Sequence, residues 1–337
     1  MRDDASTAPV VDRLALAMRA SHVLVIIFVV AAIAFAAAGV AMNDTFFLRL
    51  ATEALIFAGL ALSVDILLGY SGLLSLGQAL YFGLGAYVAA VVLKEIPSFW
   101  VAMGAALAAS LVVSIVAGLI ANRVRGVYFA LVTFGLAQVA AKVVYNMRSL
   151  GASDGMIGVP IVPINLGVMT IMSNSPAGFF LFTLGFIVLL YAISAYLLDT
   201  PFGRVLLAIR ANERRVPFLG YSTRNARLAA YVLAATIAAL SGALYPMLRG
   251  FVSPELLFFT TSGNAVITVV TGGIGTLAGA LYGSVFLTIL KSVIGSMTEH
   301  HLIVIGLLFM ATVIFLPKGM MGFIRPRIER LIERGLR

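Results

Sequence analysis

Few residues in this sequence are equipped for acid–base, nucleophilic or metal chemistry, and those few are scattered. There is no cysteine, which excludes disulfides, thiolate zinc sites and cysteine nucleophiles. Two of the three histidines, His300 and His301, stand side by side next to Glu299. Two adjacent ring nitrogens with one acid make a poor metal site, and no metal is expected. No Gly-Lys dipeptide occurs, so there is no Walker A lysine and no P-loop through which this chain would bind ATP. Gly273-Ile274-Gly275 starts like a dinucleotide fingerprint but lies between two apolar runs, so that reading is discarded. What remains is isolated charge in apolar surroundings. Asp65 lies well inside an apolar run, Glu53 and Lys291 nearer the ends of theirs, and Lys142 where its stem can snorkel outward. Asp65, four residues before Gly69, has two readings. It can hydrogen-bond unwound backbone at 69–72, the preferred structural role, or it can serve as a proton or sodium site.

The elements that would hold these residues follow from composition. Of 337 residues, 61% are hydrophobic and 11% charged, against about 45–50% and about 25% in soluble domains. The mean hydropathy is +1.07. A water-soluble enzyme, a disordered tail or a nucleic-acid binder is a poor reading of this balance, despite a net charge of +9. Ten apolar runs fall at 22–41, 50–68, 73–93, 98–121, 127–145, 177–198, 228–248, 256–272, 276–295 and 301–317. Most are long enough to cross ~30 Å of hydrocarbon as helices, the form in which a span satisfies its own backbone. The expected fold is all-α: a single polytopic membrane domain over 1–337 with about ten transmembrane helices. The weak member is 256–272, whose first half carries Thr260, Thr261, Ser262 and Asn264. It is expected to be re-entrant or broken.

Charge gives the expected orientation. Seventeen of 23 Lys and Arg residues fall in four segments, 1–20, 122–126, 199–227 and 317–337. With ten spans these share one side, and the positive-inside rule makes it the cytoplasm. Residues 1–20 are then a cytoplasmic leader to an uncleaved first span, and 318–337 a basic cytoplasmic tail. Asn43-Asp44-Thr45 matches a glycosylation triplet of the kind chance produces often.

Two long loops stand out. The outer loop 146–176 has Ser153, Asp154 and Gly155 near its centre; it reads either as a surface turn or as a docking or gating element. The inner loop 199–227 opens with Pro201-Phe202-Gly203. Residues 204–216 can form an amphipathic helix, with Val205, Leu206, Ala208, Ile209 and Val216 apolar and Arg204, Arg210, Glu213 and Arg214 polar; Pro217 ends it and Gly220 turns the chain. Such a helix either lies on lipid headgroups or inserts into a partner's groove.

Two glycine-rich breaks interrupt the apolar runs. The first holds Gly69, Gly72 and Gly77; the second holds Gly272, Gly273 and Gly275. Gly77, Gly83 and Ala86 allow close helix approach. Each break precedes a run with Ala-Leu-Tyr, at 79–81 and 280–282, a short match consistent with an internal repeat. Paired glycine-interrupted spans in two halves point to a transport pathway.

These residues also carry a family resemblance. G-Y-S-G-L-L-S-L-G-Q-A-L-Y-F-G-L-G-A-Y at 69–87 resembles the signature of the branched-chain amino acid permeases of ABC importers. R-G-V-Y-F-A-L-V-T-F-G-L-A-Q at 125–138 and S-D-G-M-I-G-V-P at 153–160 resemble the longer, M-type subunit. P-F-G-R-V-L-L-A-I-R-A-N-E at 201–213, G-F-V-S-P-E-L at 250–256 and V-V-T-G-G-I-G-T-L-A-G at 269–279 follow in the expected order. The resemblance runs from about 50 to 317.

The resemblance implies a non-catalytic permease subunit of the bacterial inner membrane, forming half of a path for branched-chain amino acids or related small polar solutes. Implied partners are a shorter homologous permease, two ATP-binding subunits, a periplasmic binding protein and the lipid membrane; nucleic acid is not among them. No cofactor is implied in this chain, ATP and Mg belonging to the partner ATPases. Residues 204–220 would be the coupling helix, with Arg204, Arg210, Glu213, Arg214 and Gly220 toward the ATPase. Ser153, Asp154 and Gly155 would face the binding protein. Ser75, Gln78, Gln138, Asn264 and Thr268 are placed near the path, each equally able to bond a neighbouring helix. The alternative is an ion-coupled secondary transporter using Asp65. A membrane-embedded enzyme would need converging His, Asp or Glu, and only Asp65 lies deep.

Overall fold

The computed structural model describes residues 10–42, 45–165, 170–171, 175–297 and 319–335, with 303–304, 306–307, 310 and 314–315. Its long helices are α1 (Val10–Ala41), α2 (Thr45–Asp65), α3 (Gln78–Glu95), α4 (Phe99–Ala121), α5 (Val127–Asn146), α6 (Pro176–Asp199), α7 (Pro201–Asn212), α8 (Thr223–Gly242), α10 (Phe259–Gly272), α11 (Ala278–Met297) and α12 (Gly319–Gly335), with the single turn α9 (Tyr245–Arg249) between α8 and α10. Among the described residues, extended structure is confined to two ladders of two residues per strand, Met156–Ile157 against Phe251–Val252 and Ile164–Asn165 against Thr170–Ile171. The architecture is a polytopic bundle of helices.

Among the described residues, seven helical stretches are long and apolar enough to cross a membrane: 21–41, 45–71, 99–121, 127–146, 176–199, 223–249 and 278–297. Three of the ten apolar runs depart from this. The run 73–93 becomes a helix only from Gln78, after an irregular stretch. The run 256–272 becomes a 3-10 turn, Pro254–Leu257, followed by α10. At 14 residues α10 rises about 21 Å, short of the ~30 Å of a hydrocarbon core. The run 301–317 falls largely outside the described residues. So do Arg2, Asn43-Asp44, Lys318 and the Glu299-His300-His301 group.

α2 is the spine, packed against α6, α8, α10 and α11, while α3 packs between α4 and α8. Small residues make these approaches possible. A Cβ at Gly85 would overlap the Ala239 carbonyl, and one at Gly242 would overlap the Phe82 carbonyl, so α3 and α8 cross with backbone in contact at both points. Side-chain hydroxyls stitch the same contacts. Ser241 donates to the Ile56 carbonyl, Ser284 to Ala54 at 2.6 Å and Tyr282 to Leu24 at 2.8 Å. Tyr81 and Tyr231 hydroxyls meet at 2.9 Å in the buried α3–α8 seam. In a medium without competing water such bonds hold helices that hydrophobicity alone would not sort from lipid.

Candidate functional site

The two glycine-rich breaks meet at one place. α2 runs past Asp65 into a π-helical turn, Ile66–Ser71, and stops at Gly72, whose φ of +68° is a left-handed cap that glycine adopts without strain. α10 ends at Gly272, and Gly273 and Gly275 both have positive φ before α11 begins. Fully buried Asp65 joins them: its carboxylate accepts the Gly275 amide at 2.6 Å and the Leu277 amide at 2.9 Å. The sequence pointed to the first break as its partner. These two bonds cross to the second, and Gly69, with no side chain, lets the two segments approach. A Cβ on Gly69 would collide with the Asp65 carboxylate and the Gly275 backbone. Two charge-assisted bonds satisfy amides that a broken helix leaves open.

The amphipathic helix reaches this knot. α7 begins at Pro201 behind Thr200 and ends at Asn212, shorter at its far end than the expected 204–216. It buries Gly203, Leu206 and Ile209. Arg210 turns its guanidinium inward and donates through Nη1 to the Gly69 carbonyl. Glu213 also points into the chain. It pairs with Arg227 at 3.1 Å and with Arg125 at 3.3 Å, and Arg227 donates to the Val124 carbonyl at 2.8 Å over the Phe129 ring. Arg204, Arg214 and Gly220 lie at the surface. The five residues assigned to coupling therefore split: Arg204, Arg214 and Gly220 are exposed without such bonds, while Glu213, half-buried, and Arg210, itself exposed, tie the loop to the bundle. Beyond α7, a 3-10 turn at Val216–Leu219 presents Phe218, 90% exposed, with Leu219 and Tyr221. This apolar tip is not among the residues expected to couple. Its signal was the V-P-F-L-G-Y run after an amphipathic helix.

The opposite end of the bundle carries the long loop. Ser153 and Asp154 are exposed, the Ser153 hydroxyl donating to Asp154 at 3.1 Å. Gly155 is buried, with φ +76°, and a Cβ there would overlap the Val252 carbonyl. It starts the strand that pairs with Phe251–Val252, so it positions the loop rather than presenting it.

Beneath that end a cavity of about 460 Å³ opens between α2, α10 and α11. Asn264 and Thr268 line it, as do Glu53, Arg249 and Lys291. Ser75 and Gln78 are elsewhere, buried where α3 begins, with Gln78 3.5 Å from both Ser63 and Ser75. Gln138 borders a shallow groove on α5 with Lys142 and Asn146. The structure thus puts two of the five path candidates on the cavity, pairs Ser75 with Gln78 away from it, and adds three charged residues to the cavity lining. Opposite charges in two apolar runs, Glu53 and Lys291, were the available signal. Among the described residues no group of three His, Asp or Glu could hold a metal.

Comparison with known proteins agrees with this architecture. Residues 46–313 match the family model described as a branched-chain amino acid transport system / permease component. The LivM permease protein of the high-affinity branched-chain amino acid transport system of Escherichia coli K12 is 26% identical over 325 residues, covering 90% of this chain and 76% of that protein. The LivH permease protein of Salmonella typhimurium is 21% identical over 290 residues, covering 82% and 93%. A probable LivM of Methanocaldococcus jannaschii is 25% identical over 267 residues, 68% and 76%. No solved structure matches significantly.

Proposed function

Because the chain belongs to the branched-chain amino acid transport permease family, as an M-type member, we propose that it forms half of the translocation path of an ATP-driven importer. The other half is a shorter homologous permease, of which LivH-type relatives are the pattern. Two ATP-binding subunits dock on the α7 side and a soluble binding protein on the side of loop 146–176. The chain itself is non-catalytic, with ATP and Mg on its partners. It lies in the bacterial inner membrane with the arginine-rich segments and both termini in the cytoplasm, and about ten helices cross it or enter it.

The observation that carries this reading is the contact of Arg210 with Gly69 beside the Asp65–Gly275 bond. A helix at the basic surface is thereby tied to both breaks, and α10, which ends at the second break, lines the cavity. Movement of α7 by a docked ATPase shifts the two breaks together. It does so to the extent that the ATP-bound dimer binds one packing of the helices better than the other. A loaded binding protein biases the same equilibrium from the far side.

The ion-coupled alternative draws no support from Asp65, whose two oxygens both accept backbone amides. Purification of the chain from its native membrane in mild detergent tests the proposal. ATP-binding subunits and a second permease are expected to come with it. A chain that arrives alone and supports ion-driven uptake would overturn the reading.

A further inference from the structure

Three charged side chains converge on the cavity from three elements: Glu53 of α2, Arg249 of α9 and Lys291 of α11. Glu53 is paired with Arg249 across 196 residues of sequence. Among the described residues Lys291 makes no ion pair, and Glu53 is close enough to interact with it electrostatically. The elements facing it add no further charge to the lining, whose other polar residues are Thr261, Asn264 and Thr268 of α10 and Ser284, Thr288 and Ser292 of α11. With one carboxylate and two cations, the lining carries a net positive charge.

Lys291 is where it is for a reason its helix displays. α11 has two faces. Phe286, Ile289 and Val293 are exposed on one. Ser284, Leu287, Thr288 and Lys291 follow at three- and four-residue spacing on the other, which lines the cavity. A lysine that only snorkelled to the membrane surface would serve equally well on the lipid face. An ionisable residue inside a span, turned to a polar cavity, marks a solute path.

We propose that Lys291 receives the carboxylate of the transported solute in this cavity, with Glu53, bridged to Arg249, facing the solute's ammonium group. The apolar part of the lining, Phe57, Leu60, Ala265 and Leu287, is left for an aliphatic side chain. This rests on the permease reading above and adds to it a place where the membrane subunit itself discriminates, after the binding protein has released its cargo. Neutral solutes such as urea lack the group that Lys291 would hold.

The test uses the whole importer in proteoliposomes, with radiolabelled L-leucine as probe and ATPase activity measured alongside uptake. In Lys291→Gln, leucine transported per ATP hydrolysed is expected to fall about tenfold, the size of one lost charge-assisted bond. In Lys291→Arg it is expected to stay within about threefold, since the cation is kept. Unchanged transport per ATP in Lys291→Gln overturns the proposal. Should that variant fail to assemble, saturation-transfer NMR on the wild-type permease pair in nanodiscs decides. Leucine and isovalerate are expected to compete for one site and leucinol, which lacks the carboxylate, is not; equal competition by leucinol overturns the proposal. Failure of the permease reading has a different signature, no ATP-driven uptake by the wild type at all.

Discussion

The Asp65 carboxylate accepts the backbone amide of Gly275 at 2.6 Å, joining two points 210 residues apart in the chain. Each lies at a helix break, and each break precedes a helix, α3 in one case and α11 in the other. The bond therefore fixes how the two halves of the bundle sit against each other at the level where α7 touches them.

Replacing Asp65 separates a structural from an ion-binding role. Asp65→Ala leaves the buried Leu277 amide and the half-buried Gly275 amide without acceptors, a cost of about 1–3 kcal/mol for a buried group. The purified protein is expected to melt several degrees lower, and Asp65→Asn, which retains one acceptor oxygen, by less. Any remaining uptake is expected to keep the wild-type dependence on sodium and pH. A change in that dependence with unaltered stability would restore the ion-site reading.

Arg210 is the link between α7 and the first break. Arg210→Ala is expected to leave ATPase subunits bound while uptake per ATP falls by about tenfold, because one charged hydrogen bond of ~1.5 kcal/mol transmits the movement. Equal losses of ATPase binding and uptake would make Arg210 a docking residue instead.

Glu213 braces the loop from inside. Arg227 is only 3% exposed on its side chain, whereas Arg125 is 66% exposed. Removing Glu213 leaves a buried guanidinium short of its counter-charge, and removing Arg125 costs little at a surface. Glu213→Gln is expected to destabilise the protein by about 1–3 kcal/mol and Arg125→Gln by less than about 0.5 kcal/mol, read as shifts in melting temperature. Matching shifts would contradict the brace.

Phe218 stands out from the surface beyond α7. An aromatic side chain of this exposure at an interface commonly anchors it. Phe218→Ser is expected to weaken ATPase retention on a pull-down by about tenfold with no change in melting temperature. Unchanged retention would leave the apolar tip without a role in docking.

The α3–α8 crossing permits no side chain at its two contact glycines. Gly85→Val and Gly242→Val each push a Cβ into a facing carbonyl, and are expected to lower stability by about 1–3 kcal/mol or to block assembly. Gly104→Val, where a side chain has open space, is the control expected to behave as wild type.

The apolar runs and the glycine-rich breaks were legible in the sequence because membrane burial writes itself as continuous hydropathy and because backbone contact demands glycine. Asp65 and the amphipathic stretch before Pro217 were legible for the same reasons. What stayed hidden was long-range pairing. Periodicity places Asp65 near Gly69, but only the fold brings Gly275 to it. Arg204, Arg210, Glu213 and Arg214 form one polar set along and just beyond α7, and spacing cannot say that Arg210 and Glu213 are the two that bond the bundle. Glu53, Arg249 and Lys291 lie at the ends of separate runs, and nothing local announces that they share a cavity. α10 was readable as a weak span from its threonines, while its length of 14 residues came from where its two ends are held.

ATP hydrolysis on partner subunits is proposed to drive transport through this chain. The most direct test of this is uptake of radiolabelled L-leucine by proteoliposomes holding the purified complex and its binding protein, with ATP on the side of the arginine-rich loops. Uptake is expected to require ATP and the binding protein and to be indifferent to sodium and proton gradients. Uptake by this chain alone under an ion gradient, without ATP and lost on replacing Asp65, would contradict it.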